Sequence, residues 1–223
     1  MILRKNSVEK LQKNQLLDLA KFVVTENFKH HSNGYLSEDY RNDVNVIYKE
    51  EVTFYENSEV FTVRDYSGFI TGSIRLLKWN YTDVLPIQKI FGINPFLAIN
   101  SPQVNDIYHV GRFAVRKDAC DLHLFKRLLI CVAKIICSHK GNIAFAECDS
   151  KLLRVLKLLG VKAVTIGKSI DYLGSETIPI AMTYDGVIDF YKKNERLMAD
   201  NIHETSETSN VSERVSNERM RIF

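Results

Sequence analysis

The pattern of apolar and polar residues changes twice along the first part of the chain. Residues 8–28 place apolar side chains such as Leu16 and Leu19 at helical spacing, which predicts an amphipathic helix. Residues 30–51 are polar and aromatic and predict a loop followed by a second helix. Apolar alternation then flanks the turn at residues 65–68, which predicts a hairpin of two strands.

The rest of the chain alternates strands with helices after an irregular connection. Prolines interrupt residues 80–103, so no long element is expected there. Beyond them, the pattern predicts strands at 106–115, 142–148, 161–168 and 177–184, and helices at 121–140, 151–159 and 185–194. Strands that alternate with helices imply a mixed sheet covered on both faces, an α/β fold.

Composition divides the chain into a domain and a tail. Residues 196–223 are rich in Ser, Glu, Asn and Arg and hold few apolar residues to bury. We therefore predict one domain over residues 1–195 and a flexible polar segment after it.

Charge and composition exclude several classes of partner. With 45% hydrophobic and 26% charged residues, the chain has the composition of a soluble globular protein. The net charge of +3 comes from scattered Lys and Arg, which argues against nucleic acid as a partner. No window approaches the roughly 18 consecutive apolar residues that a membrane span needs, and no signal-peptide core is seen at the start.

The cysteines and histidines do not suggest a metal site. The four cysteines form no CxxC pair and lie in apolar surroundings, which is typical of free thiols in a reducing compartment. The neighbouring His30 and His31 would point apart on a regular element. We expect no bound metal and a cytoplasmic location.

Three segments carry a resemblance to a known family. They are residues 61–77 (FTVRDYSGFITGSIRLL), residues 107–118 (IYHVGRFAVRKD) and residues 151–164 (KLLRVLKLLGVKAV). Together with the order of elements, they resemble the GCN5-related N-acyltransferase (GNAT) superfamily over residues 8–194. The resemblance implies a mixed, mostly antiparallel, twisted sheet flanked by helices on both faces.

Within that superfamily, the chain is most similar to the autoinducer synthases and the long-chain N-acyl amino acid synthases. Residues 111–115 (GRFAV) match the second half of a strand motif of those enzymes, and Arg75 matches an arginine at the end of their third strand. The resemblance implies transfer of an acyl group from acyl-CoA or an acyl-phosphopantetheine carrier to an amine.

The chain departs from the family pattern at two places. His109 stands where the family has an acidic residue, and Gly111 stands where it has a serine. The turn after the strand lacks the glycines that wrap the CoA pyrophosphate in ordinary acetyltransferases. Both departures fit an enzyme that uses an acyl carrier protein, and both also fit a relative that has lost its activity.

The resemblance places the donor along the fourth strand and the helix after it. In the superfamily this strand splays from the fifth, and its backbone bonds the pantetheine arm; here that role falls to Phe113, Ala114 and Val115. The helix start would face the phosphate. The residues there are Leu122, His123 and Leu124.

His109 and Glu147 are the candidate catalytic residues. Histidine has a reference pKa of about 6.5, so His109 could accept the proton of an amine. The alternative is a strand histidine hydrogen-bonded to backbone. Glu147 would lie beside the notch between the strands and hold an arginine or the amine. Strand alternation predicts His109, Gly111 and Phe113 on one face, and Arg112 on the other.

Two arginines on neighbouring strands, Arg75 and Arg112, are candidate substrate-binding residues. A guanidinium near the centre of a sheet needs an anion, since an unpaired buried charge is expensive. The anion could be a substrate carboxylate or phosphate, or an acid of the protein: Asp106, Glu147 or an acid of the second helix. Phe28 belongs to the aromatic-rich region that covers the acceptor site in the resembled enzymes.

These observations support one leading function and one rival. The leading hypothesis is an N-acyltransferase with a medium or long acyl chain, an amino acid or related small-molecule amine as acceptor, and CoA or an acyl carrier protein as donor. The apolar residues 86–99 allow peripheral membrane contact at most. The rival is a non-catalytic GNAT-like domain that binds a ligand or partner. The missing CoA loop argues against a protein acetyltransferase.

Overall fold

The computed structural model describes residues 7–31, 39–98, 103–119, 122–172 and 175–197. The strands are β1 (Val8–Lys10), β2 (Ser58–Arg64), β3 (Ile70–Lys78), β4 (Ile107–Val115), β5 (Ile143–Asp149), β6 (Val164–Thr165), β7 (Ile170–Tyr172) and β8 (Ser175–Thr183). The α-helices are α1 (Leu16–His31), α2 (Tyr40–Phe54), α3 (Pro86–Phe91), α4 (Pro95–Ala98), α5 (Leu122–Ile136), α6 (Ser150–Leu158) and α7 (Tyr184–Asn194).

The strands form one mixed sheet. Its order is β1-β2-β3-β4-β5-β8-β6, and β7 also pairs with β8. The described pairings are antiparallel apart from β4 and β5, which run parallel. This arrangement confirms the predicted mixed, mostly antiparallel sheet.

Helices cover the sheet on both sides. The side that we call the α5 face packs against α5, α6 and α7 and forms the largest apolar cluster, with Leu128 and Ile130 fully buried at its centre. The opposite side, the α2 face, packs against α1 to α4 through smaller clusters around Leu19 and Phe145. The predicted two-sided cover is confirmed.

The helix ends are set by local chemistry. The Asp149 side chain accepts a hydrogen bond from Leu152 N at 2.6 Å and caps the start of α6. Gly160 follows the end of this helix with a φ of 85°, a conformation that glycine adopts without a steric penalty. α3 begins at Pro86 and is followed by Gly92 in the left-handed region, with a φ of 64°.

Three predicted boundaries differ from the structure. Residues 8–10 form strand β1 because they pair with β2, whereas the periodicity predicted that the first helix begins there. Residues 80–103, predicted to be irregular, contain α3 and α4, because a proline in the first turn is compatible with a helix. The strand predicted at 161–168 is reduced to the short β6.

Some sequence-based expectations fall on undescribed residues. The predicted tail lies outside the described chain from residue 198 onward, as does Cys120. In the part that is described, no helix is long and apolar enough to cross a bilayer. The same residues form no group of three or more His, Cys, Asp or Glu that could hold a metal ion.

We predict that Asp149→Ala destabilises the protein by about 1 kcal/mol, because the Leu152 N–H loses its capping acceptor. Urea unfolding followed by circular dichroism measures the change. Asp149→Asn is the matched control, since its amide oxygen can still cap the helix. An equal loss in both variants would contradict the capping role.

Candidate functional site

β4 and β5 pair for only part of their length. Their register runs from Ile107 opposite Ile143 to Val110 opposite Ala146, and the pairing ends there. β4 nevertheless continues to Val115 and β5 to Asp149. The strands therefore separate between residues 111–115 of β4 and residues 147–149 of β5, and we call this opening the β4–β5 notch.

A β-bulge in β4 lies at the start of the notch. Ser73 of β3 pairs with Ala114, and Arg75 pairs with Gly111, so that two steps along β3 oppose three steps along β4. Arg112 lies in this insertion with a φ of 52°, in the left-handed region. A bulge places two successive side chains on the same face and bends the strand.

The bulge overturns part of the predicted alternation. Arg112 contacts Glu51 of α2, so it lies on the α2 face rather than opposite His109. Phe113 packs edge-on against Phe125 of α5, with ring centroids 4.6 Å apart, so it lies on the α5 face. The prediction that His109 and Phe113 share a face was wrong, because simple alternation does not allow for an extra residue in the strand.

The backbone N–H and C=O groups of β4 after the bulge point alternately towards β3 and into the notch. Arg116 N donates to Thr71 O at 2.8 Å, and Ala114 pairs with Ser73, so Ala114 directs its backbone groups towards β3. The intervening Phe113 and Val115 direct theirs to the other side, into the notch. Of the three residues predicted to contact the donor arm through their backbone, Phe113 and Val115 face the notch, whereas Ala114 faces β3; contact with a donor stays a prediction.

The two candidate catalytic residues meet at the inner end of the notch. His109 Nε2 lies 2.8 Å from Glu147 Oε2. The imidazole is 2% exposed and the Glu147 side chain 13%. A carboxylate accepts hydrogen bonds, so this contact places a proton on Nε2, and in the neutral imidazole the lone pair is then on Nδ1. Among the described residues, His109 Nδ1 and Glu147 Oε1 have no hydrogen-bond partner.

Gly111 leaves room beside the imidazole. A Cβ at this position would lie 3.0 Å from His109 Cε1, 3.3 Å from Arg75 Nη2 and 3.4 Å from His109 Nδ1. A serine side chain at this position would crowd the ring. The two departures from the family motif, at His109 and Gly111, thus compensate each other sterically.

The two arginines form a buried cluster with two glutamates of α2. Arg75 is fully buried, and its Nη1 donates to Glu51 Oε1. Arg112 Nε donates to the same oxygen at 2.7 Å, and Arg112 Nη2 lies 2.8 Å from Glu50 Oε1. The cluster joins β3, β4 and α2. Of the acids considered from sequence, those of the second helix are the partners.

Two opposing effects set the pKa values in this cluster: burial disfavours the charged forms, and neighbouring opposite charges favour them. Burial lowers the pKa of Arg75, and Arg112 adds to this effect, while Glu51 opposes it. For Arg112, burial lowers the pKa, but Glu51 and Glu50 outweigh it and the net pKa is raised. Burial raises the pKa of Glu50, but Arg112 and Arg75 together outweigh it and the net pKa is lowered. Opposite charges therefore keep Glu50 and Arg112 ionised.

The remaining predicted residues lie around this centre. Leu122 and His123 are exposed at the start of α5, whereas Leu124 is buried and lies beneath Gly72 of β3. Phe28 packs in the apolar cluster between α1 and α2. A contact of these residues with donor or acceptor stays a prediction, as does substrate binding by Arg75 and Arg112.

Cys148 adjoins Glu147 but does not have the properties of a nucleophile. It is buried, and burial raises its pKa to about 12. A thiol with such a pKa stays protonated at neutral pH, and the thiolate is the nucleophilic form.

Sequence reasoning did not single out three residues of this region. It named the second helix as a source of acids for the arginines, but nothing in the sequence distinguishes Glu50 and Glu51 from solvated acids of that helix. His30 of α1 has its Nε2 3.2 Å from Val115 O, at the outer end of the notch. The contacts of these three residues depend on how α1 and α2 dock on the sheet, and no local sequence motif predicts that docking.

Comparisons with known proteins show similarity at the level of structure. No family model and no curated sequence matches the chain. FeeM, an N-acyl amino acid synthase from uncultured soil microbes, is similar with a TM-score of 0.59 and 16% identity, over 81% of this chain and 92% of FeeM. TofI in a ternary complex with an inhibitor and MTA gives a TM-score of 0.54 and 15% identity, over 85% and 97% of the two chains.

An acetyltransferase of the GNAT family from Staphylococcus aureus Mu50 has a TM-score of 0.51 and 12% identity, over 81% of this chain and 99% of that one. At such identities the similarity is one of fold. The chain has the GNAT fold, as the sequence motifs predicted.

We predict that Glu51→Gln destabilises the protein by about 3–5 kcal/mol. The substitution removes the negative charge that the buried guanidinium groups of Arg75 and Arg112 share. Glu50→Gln is the matched control on the next residue. Its side chain is 25% exposed against 1% for Glu51, so the loss should be smaller. Urea unfolding at neutral pH measures both, and a reversed order would contradict the central position of Glu51.

We predict that the contribution of Glu50 to stability disappears in acid. Its pKa is lower in the folded protein than the ordinary 4.5, so the contribution is complete above that value and is lost as the pH falls through the folded pKa. The difference in unfolding free energy between wild type and Glu50→Gln should therefore narrow below about pH 4.5. Urea unfolding from pH 7 to pH 3 tests this, and a constant difference would contradict it.

Proposed function

We propose that the protein is an N-acyltransferase that moves an acyl group from the thioester of CoA or an acyl carrier protein to an amine. The observation that carries this proposal is the position of the His109–Glu147 pair at the inner end of the β4–β5 notch. An opening between strands with unpaired backbone on one side suits an extended arm, and a histidine at its end suits proton transfer.

The donor arm lies along β4 in this proposal. Its amide groups pair with the backbone of Phe113 and Val115, which face the notch. A surface hollow of about 390 Å³ adjoins the end of β4 and is lined by Lys29, Arg116, Lys117 and Asp118. These cations suit the phosphate of a phosphopantetheine group, which would share Lys29 with Glu26 and Arg116 with Asp65 and Asp118. Both CoA and an acyl carrier protein present that group.

His109 is the general base in this proposal. Nδ1 takes a proton from the attacking amine, while Glu147 holds Nε2–H and stabilises the imidazolium that forms. The amine nitrogen bonds to the thioester carbon, the carbon–sulfur bond breaks, and the proton passes to the departing thiolate. The products are an amide and a free thiol, and no further reactant is needed.

The acceptor and the chain length follow the sequence-based hypothesis. We propose an amino acid or related small-molecule amine as acceptor, a medium or long acyl chain, and the cytoplasm as location. The similarity to FeeM, an N-acyl amino acid synthase, supports the acceptor class.

One observation favours a second candidate, a non-catalytic domain that binds a ligand in the notch. His109 is almost fully buried, and both arginines already contact glutamates of the protein. A site whose charges are neutralised within the protein could hold an acyl or pantetheine group without transferring it. Catalysis and binding alone predict different results in the assay below.

We predict acceptor-dependent release of thiol when the protein is incubated with acyl-CoA or acyl carrier protein thioesters and a panel of amino acids and amines. Thiol reagents and product mass follow the reaction. His109→Ala should lower kcat by about 10²–10⁴-fold, with partial recovery on adding imidazole. Glu147→Gln should cause a smaller loss, because the amide still accepts a hydrogen bond but carries no charge.

The outcomes separate the two candidates. Donor binding without acceptor-dependent release, over all chain lengths, would favour the non-catalytic domain. Release that His109→Ala leaves unchanged would support acyl transfer and refute the base. Circular dichroism of each variant checks that a lost rate does not come from a lost fold.

A further inference from the structure

A histidine of helix α1 contacts the outer end of the β4–β5 notch. His30 lies in the last turn of α1, and its Nε2 is 3.2 Å from the carbonyl oxygen of Val115, the last residue of β4. A carbonyl accepts only, so His30 donates from Nε2–H. The backbone of Val115 faces the notch, so this bond uses an acceptor on the open side of β4.

Within the described strands, Val115 O has no partner strand that donates a hydrogen bond to it. The pairing of β4 with β5 ends at Val110, five residues earlier in the chain, and Val115 is 7% exposed. A buried carbonyl needs a donor, and in a sheet the neighbouring strand would supply it. Here the imidazole supplies the N–H that an extended ligand in the notch would otherwise bring.

The contact can be broken without undocking the helix. The His30 side chain is exposed, so its ring can turn into water at little cost. One turn earlier, Glu26 is 2% exposed, and its Oε2 accepts a hydrogen bond from Lys117 N at 3.1 Å. Glu26 therefore keeps α1 attached to the segment after β4 when the His30 bond is lost.

We propose that His30 is an internal competitor of the donor arm for the backbone of β4. The imidazole occupies Val115 O in the free protein and leaves it when an amide N–H of a pantetheine-type ligand binds there. The contact thus sets the affinity for the donor and keeps this end of the notch closed to weaker ligands. This inference rests on the proposed donor position, and it names a role for a residue outside the catalytic pair.

Calorimetric titration with pantetheine and with CoA tests the proposal. His30→Ala removes the competing donor and should lower the Kd of both ligands about fivefold, the value of one net hydrogen bond. Thr25→Val is the control. It removes a bond from α1 to Tyr40 of α2, 3.1 Å in length, and leaves β4 untouched, so its Kd should equal that of wild type.

A direct measurement follows the imidazole itself. In protein labelled with ¹⁵N-histidine, the His30 Nε2–H resonance should lose its hydrogen-bonded position when pantetheine is added. If the hydrogen bond from His30 to Val115 O had only a structural role, the resonance would not shift when pantetheine is added.

The outcomes distinguish this inference from the function on which it rests. Binding to wild type with an equal or weaker affinity in His30→Ala would overturn the inference and leave the donor site intact. Binding to His30→Ala alone would support it. No binding of either ligand to either protein would count against the donor site and the inference together.

Discussion

The structure depends on the neutralisation of Arg75, a fully buried guanidinium in the middle of the sheet. Its counterion, Glu51, comes from α2, so the charge fastens that helix to the sheet. Glu51 also accepts from Arg112, which reaches it because a bulge turns this residue to the α2 face. The same bulge bends β4 where it leaves β5. The need to neutralise Arg75 thus links the docking of α2, the bulge in β4 and the opening of the β4–β5 notch.

The candidate site follows from this arrangement. His109 lies on β4 just before the bulge and Glu147 on β5 just after the last pair of the two strands, so the strands bring an imidazole and a carboxylate together where they part. Where the resembled enzymes carry an acid on β4, this chain carries a histidine whose acid stands on the neighbouring strand. Gly111 makes the exchange possible, because it leaves the space that the larger ring needs.

Particular residues show why some features could be read from sequence and others could not. The turn at residues 65–68 and the helices α5 and α6 are local patterns, and each was predicted correctly. The first strand, β1, was missed because its three residues are extended only through their pairing with β2. The face of Phe113 was wrong because a bulge depends on the register between two strands, not on the alternation within one.

The sequence by itself determined the order of the longer elements, the apolar faces and the identities of the candidate base and arginines. These depend on spacing along the chain, where neighbouring residues interact directly. Tertiary structure decided the partners. Glu147 for His109, Glu51 for Arg75 and Val115 for His30 are separated by 38, 24 and 85 residues. Such contacts depend on how helices dock on the sheet and where two strands part, which no local pattern specifies.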